Sequence, residues 1–335
     1  MRAGTMFAQL SFLSLHSSSA PPLLLSPSQS PVPSSSGGDG DTGTGGTSFL
    51  LKYSSMRPAP LNCHASSGRR RFLYTTLLPV LLPLLHDSSS TSDALASGLI
   101  EDYSSRVRSE IRKVMSKAKA AGVLRLAFHD AGTFDVEDNS GGMNGSIVYE
   151  LDRPENAGLK KSVKVLQKAK VEVDKLFSIS WADMISLAGA EAVSICGGPE
   201  IPVRLGRVDA GVPDPEGRLP EESLDASGLK KSFMRKGFST QDLVVLSGAH
   251  TLGGKGFGNP NVFDNSYFKI LLEKPWKSSG GMASMIGLPS DHELVEDDEC
   301  LRWITMYASN EQKFFEDFKD SYVKLVNSGA RWQIS

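Results

Sequence analysis

Cysteine is scarce, with three in 335 residues. So few exclude a disulfide-stapled scaffold. No apolar run reaches the roughly 18 residues that a membrane-spanning helix requires. Neither sign of charge dominates: 36 basic side chains face 38 acidic ones, a formal net of −2. That balance argues against nucleic-acid binding driven by bulk charge. Internal repeats and alternating strand patterns are missing as well. What remains is an ordinary globular mixture, 40% hydrophobic and 22% charged, which rules out a collagen-like or wholly disordered chain.

The averages conceal a composition boundary. Residues 1–65 are rich in Ser, Pro, Gly and Thr, and Asp39 and Asp41 are their only acids. Such a stretch buries too little apolar surface to offset its ordering entropy. A Ser-rich, acid-poor N-terminus with scattered arginines reads as an organelle transit peptide, a disordered tail being the alternative. Residues 66–96 carry a second signal. Arg69-Arg70-Arg71 precedes Phe72-Leu73, an apolar run follows from Leu77 to Leu85, and Ala94-Leu95-Ala96 forms a cleavage site. Paired arginines in that order resemble a twin-arginine export signal. The other reading, a short buried helix, is opposed by Pro79 and Pro83. The two signals in series resemble the bipartite leader of chloroplast thylakoid-lumen proteins. That resemblance implies a lumenal protein, soluble or peripherally bound to the membrane, and leaves residues 97–335 as the folded domain.

Helical periodicity dominates there. Leu99, Ile100, Tyr103, Val107, Ile111 and Val114 recur at helical spacing. Trp181–Val193 predicts an apolar helix, Ser239 or Thr240 caps another that runs into Ala249, and Phe314–Val326 predicts a last one stopped near Gly329. The Gly- and Pro-rich stretch 197–225 predicts loop with at most short strands. The class expected is mainly α.

Residues 97–335 contain three histidines, His129, His250 and His292. In Ala121–Phe134, Arg125 and His129 stand four residues apart, so a helix puts them on one face beside Phe128. In Leu246–Gly253, His250 ends an apolar helix, with Gly248 and Gly253 allowing close approach. Either histidine alone reads more readily as structural than as a ligand.

Together, R-L-x-F-H-D-A and L-S-G-A-H-T-L-G resemble the distal and proximal signatures of the plant-type haem peroxidase superfamily. Ile179–Gly189, Gly197–Pro202, Gly206-Arg207, Pro215–Pro220, Val262–Phe268 and Leu288–Asp291 are similar to further blocks of its ascorbate-peroxidase-like members. The resemblance implies two helical lobes around a haem cleft, haem b as cofactor, and hydrogen peroxide and a small reductant as substrates. It implies His250 as the iron ligand and Asp291 as acceptor of its other ring N–H. It implies His129 as the distal base, Arg125 as the cation facing the departing oxygen, and Asn156 as acceptor of the His129 N–H, an alignment that crosses a gap of about two residues. It implies Phe128 against the haem, at a position where ascorbate peroxidases usually carry Trp. Asp183 and Arg207 match a structural ion pair.

The pattern also breaks. By resemblance, the segment after His250 lacks roughly ten residues that hold an ascorbate-binding Arg and a propionate-facing His. The family's proximal Trp is replaced by Gly256, or by Phe257 with a one-residue slip, so Asp291 is expected to lose a partner. Thr251, Asn259 and Asp264 match three positions of a potassium site in which Phe257 replaces a Thr. Asp130, Gly142, Asn144 and Ser146 loosely follow a calcium loop. Lys119 takes the place of a Cys near the haem-edge substrate. Cys196 and Cys300 read as packed thiols. Two functions stay open: a thylakoid-lumen haem peroxidase using ascorbate or a phenol, and a degenerate member acting as an interaction protein at the photosystem II membrane.

Overall fold

A computed structural model describes residues 102–273, 276 and 286–333. The transit and export segments expected at 1–65 and 66–96 lie outside the described residues, as do Leu99 and Ile100. The periodic run that those two open is helical over 102–114 (α1), with Val107 and Ile111 fully buried. The following helices are α2 (Lys117–Ala131), α3 (Lys160–Asp174), α4 (Trp181–Ile195), α5 (Ala226–Arg235) and α6 (Thr240–Ser247). They continue as α7 (Ser266–Glu273), α8 (Pro289–Leu294), α9 (Asp298–Ser309) and α10 (Glu311–Asn327). Among the described residues, strand pairing is limited to two isolated bridges, Asp135 with Ser140 and Arg207 with Trp332.

Helix α4 is mostly apolar and buried over most of its length, its buried acids Asp183 and Glu191 each paired with arginine. Its start is fixed twice. The Ser180 hydroxyl accepts the Asp183 N–H at 3.0 Å, and the Asp209 carboxylate accepts those of Trp181 and Ala182. Helix α2 crosses it closely: a Cβ on Gly189 would stand 2.8 Å from the Ala127 Cβ and 2.0 Å from the Tyr322 hydroxyl. Helices α2, α3 and α4 pack on one another, α6, α7, α9 and α10 form a second group, and α10 touches both.

The loop expected over 197–225 carries no strand. It holds Arg207, whose side chain has no exposed surface. The guanidinium donates to Asp183 at 3.0 Å, to the Val326 carbonyl at 2.9 Å and to Asn327 at 2.9 Å, and lies 4.6 Å from the centre of the Trp332 ring. The structural pair expected of Asp183 and Arg207 is thus present, and it extends to the C-terminal segment.

Candidate active site

The first half of the site stands on α2. Its apolar face buries Val123, Leu124, Leu126 and Ala127 and leaves Arg125, Phe128 and His129 toward an open side. Asn156 sits in the 3-10 turn Pro154–Asn156, buried to 1% exposure. The Asn156 amide Nδ2 donates to the Glu150 carbonyl at 3.0 Å, so its Oδ1 faces His129 Nδ1 at 2.7 Å. This network assigns the ring proton to Nδ1 and leaves Nε2 as the basic nitrogen. Arg125 Nε donates to that Nε2 at 3.1 Å, and its two terminal nitrogens hold the carbonyls of Ala157 and Glu155 at 2.9 and 2.7 Å. Burial and the Arg125 charge together push the His129 imidazolium down to about 4, against the Asn156 hydrogen bond. Phe128 is half-buried, with its ring 6.2 Å from that of His129 and stacked on Phe233 at 6.3 Å.

The second half follows α6. A capping box between Ser239 and Asp242 starts the helix as expected. The helix then tightens to a 3-10 turn at Gly248–Thr251, two residues before the end read from sequence. A Cβ on Gly248 would stand 2.6 Å from the Phe314 ring, so glycine permits the turn that presents His250. His250 Nδ1 donates to Asp291 Oδ1 at 2.8 Å, and its side chain is 37% exposed where that of Asp291 is 2% exposed. Its Nε2 has no hydrogen-bond partner among the described residues. Burial disfavours the charged imidazole, and the Asp291 charge and hydrogen bond outweigh it, leaving the His250 pKa raised.

Among the described residues neither Gly256 nor Phe257 bonds to Asp291, so the partner expected to be lost is lost, but the carboxylate keeps others. Tyr267, fully buried on α7, donates its hydroxyl to the same Oδ1 at 2.9 Å, and the Leu288 N–H occupies Oδ2 at 2.8 Å. Phe257 packs edge-on against the Tyr267 ring at 4.7 Å and fills space without a polar role. The Tyr267 hydroxyl reaches Asp291 from a different helix, not from the segment after His250.

Burial lowers the proton affinity of Arg125 and His250 alike, and the Glu222 carboxylate acts the other way on both. One carboxylate therefore lies within electrostatic reach of the two halves. The Ser290 N–H holds the Glu222 carbonyl at 3.1 Å, which ties this loop to α8. Neither Glu222 nor the hydroxyl of Tyr267 stood out in the sequence. The Val262–Phe268 block contains Tyr267, but only packing reveals what its hydroxyl meets.

The cation positions are partly assembled. Thr251 donates to Asp264 at 2.8 Å, whereas Asn259 Oδ1 accepts the Asn261 N–H at 3.0 Å within its own turn. Asp130 accepts the N–H groups of Gly145 and Ile147, and Asn144 bonds to Asp214 and to the Ser146 N–H. Burial pushes the Asp130 carboxyl up to about 8, against the Ile147 and Gly145 hydrogen bonds. The Gly142 N–H donates to the Thr133 hydroxyl, and the buried Ser146 hydroxyl has no partner among the described residues. Lys119 donates to the Val114 carbonyl at 2.9 Å. Cys196 and Cys300 are free and buried, and burial pushes the Cys300 thiol up to about 12. His292 is a structural residue: its Nε2 lies 2.7 Å from the Ile286 carbonyl, and its ring stacks on Trp276 at 4.3 Å.

Known proteins share this arrangement of sequence. The peroxidase family model matches residues 105–310. A protein of Arabidopsis thaliana named "Putative L-ascorbate peroxidase 6" is 70% identical over 228 residues, covering 68% of this chain and 69% of that protein. Another from the same plant, "L-ascorbate peroxidase 2, cytosolic", is 41% identical over 246 residues, covering 68% of this chain and 94% of that protein. The Oryza sativa subsp. indica protein "L-ascorbate peroxidase 1, cytosolic" is 40% identical over 238 residues, with 67% and 92% covered.

Proposed function

Because the chain belongs to the plant-type haem peroxidase family, on its ascorbate-peroxidase-like side, we propose that it reduces hydrogen peroxide in the thylakoid lumen, with a small donor of the ascorbate class as reductant. The observation that carries the reading is the pairing of a proton-poor His129 with an anchored His250. His250 offers a free Nε2 on a half-exposed ring whose Nδ1 is fixed by a buried carboxylate, which is the donor set that haem iron requires. The residues present therefore fit haem, which His250 would ligate with Asp291 holding its Nδ1, and against which Phe128 would pack. Haem bound there supplies the iron and the two-electron redox capacity that amino-acid side chains lack.

The chain's own groups handle the proton. His129 Nε2, kept basic by Asn156, takes the proton of the inner peroxide oxygen and returns it to the outer one, which departs as water. Arg125 places a fixed positive charge where that oxygen gathers electron density. Its Nε first has to leave His129 Nε2, because one lone pair cannot serve both. The lumenal location draws on the leader at 1–96. The alternative, a haem-poor interaction protein near photosystem II, draws on the shortened segment after His250. The intact hydrogen bonds on both histidines favour the enzyme.

Hemin titrated into the full chain should give a Soret band that His250→Ala loses. An unaltered chain that stays colourless, or a variant that keeps the band, overturns the assignment. Import into isolated chloroplasts tests the location: protease-protected product inside thylakoids is expected, and its retention in the stroma would refute a lumenal protein.

A further inference from the structure

We propose that the outer face of α3 is a docking surface for a membrane whose headgroups carry negative charge. Five of the 15 residues of this helix are lysine and none is arginine. No acidic residue occurs from Asn156 to Val171. The whole chain is slightly acidic, with a net of −2, so this concentration of positive charge is local. Lys160, Lys164, Lys168, Val171 and Lys175 follow at three- and four-residue steps, and all are exposed. That spacing puts them in one line along the helix, flanked by exposed Lys161. At the helical rise the line is about 22 Å long.

The inner face of α3 is occupied. Ser162, Leu166, Ala169 and Val173 are buried there, and a Cβ on Gly122 of α2 would stand 2.8 Å from Ser162 Oγ. Packing on α2 therefore turns the lysine line outward. Acids claim only its two ends: Lys160 pairs with Asp152 and Lys175 with Glu172. Lys170 points away from the line, to Asp174 and the Ile179 carbonyl. Lys161, Lys164 and Lys168, in the middle, form no ion pair among the described residues.

Two features favour a lipid surface over a protein or a nucleic acid. An ammonium group is a compact point charge, whereas a guanidinium group reads carboxylates and phosphates as a planar fork. This protein uses arginine in the second way: Arg125 holds two carbonyls, Arg207 binds Asp183 and Arg218 binds Asp138. A face of lysines alone suits a diffuse negative layer with no fixed pattern of acceptors. Apolar side chains accompany it. Val171, 46% exposed, lies within the line, and Leu176, 61% exposed, stands just past the helix end. Together with the lysine stems they give the face something to sink into the headgroup layer. The Ala157 carbonyl that holds Arg125 lies three residues before α3, so docking there keeps the candidate active site close to the bilayer.

The test footprints lysines of the full chain with a water-soluble acetylating reagent and reads each site by peptide mass mapping. The chain is mixed with vesicles of equal parts phosphatidylcholine and phosphatidylglycerol, or of phosphatidylcholine alone. The anionic vesicles should slow acetylation of Lys161, Lys164 and Lys168 by about fivefold, and high salt should restore it. Exposed Lys231 and Lys269 on other helices should react as before. The readout is local, so membrane binding by residues 1–96 does not imitate it. No protection by the anionic vesicles, or equal protection by phosphatidylcholine alone, overturns the docking surface. In a variant combining Lys161→Gln, Lys164→Gln and Lys168→Gln, Lys160 and Lys175 should lose their protection while the melting temperature stays unchanged. Protection that persists at those two lysines also overturns it. Polyglutamate and duplex DNA serve as competitors: protection by either of them and not by vesicles assigns the face to a protein or a nucleic acid and refutes a membrane.

Discussion

Tyr267 and His250 share one oxygen of Asp291, the hydroxyl at 2.9 Å and the ring nitrogen at 2.8 Å. Two donors on one buried carboxylate oxygen divide its negative charge, so each moderates the pull on the other. Tyr267→Phe keeps the ring packing and removes the hydroxyl. A hydrogen bond to a charged group contributes about 1.5–3 kcal/mol, and urea denaturation should show a loss of that size. In the hemin-loaded variant Asp291 draws harder on the His250 N–H, so the ferric–ferrous potential should move to more negative values. A potential that rises or stays put would contradict the shared-oxygen account.

The pH dependence of the peroxide reaction follows from His129. The base acts when neutral, and its pKa is lowered from 6.5 to about 4. Stopped-flow rates should stay level from neutral pH down to about 5 and fall tenfold per unit below about 4. An inflection near 6.5 would mean that His129 is neither dry nor adjacent to a cation. Stability carries the matching sign. The unfolded imidazole binds a proton below about 6.5 while the folded one stays neutral, so this residue's contribution is lost as pH falls from 6.5 toward 4.

Asn156 can be separated from the base it orients. Asn156→Ala removes the acceptor of the His129 N–H, and the peroxide rate constant should drop about 10- to 100-fold, the range for partners that orient a functional imidazole. Asn156→Asp instead sets a carboxylate against the ring and should move the pH inflection upward toward neutrality. If the alanine variant reacts at the parental rate, Asn156 has no part in holding the tautomer.

Gly189 tests the crossing that carries α2. A Cβ there would collide with the Tyr322 hydroxyl and Ala127. Gly189→Ala should cost about 1–3 kcal/mol by overpacking, read as a lower melting temperature. An unaffected melting point would show that α2 and α4 have room to separate.

Motif spacing made the site's two histidines, Arg125 and Asp291 legible, since each belongs to a run whose neighbours also match. Asn156 was placed across an alignment gap, and its 2.7 Å contact with His129 supports that placement. Apolar periodicity located α4 and α10 closely, because a fully buried helix and a long amphipathic one leave strong patterns. Short α7 and α8 leave none, yet they bring Tyr267 to Asp291, 24 residues away in sequence. The same limit hid Glu222, which sits in a loop and acts through space on Arg125 and His250. Contacts of this kind are fixed by how helices pack, and a string of residues does not display that.

Arg207 makes the loop and the segment after α10 depend on each other. Its buried charge is balanced by Asp183 upstream and by groups at 326, 327 and 332. A closed interior without those later groups would hold a guanidinium with half its acceptors missing, at a cost of several kcal/mol. The interior therefore cannot seal over the loop until that segment has joined it, which makes the two one cooperative unit of folding.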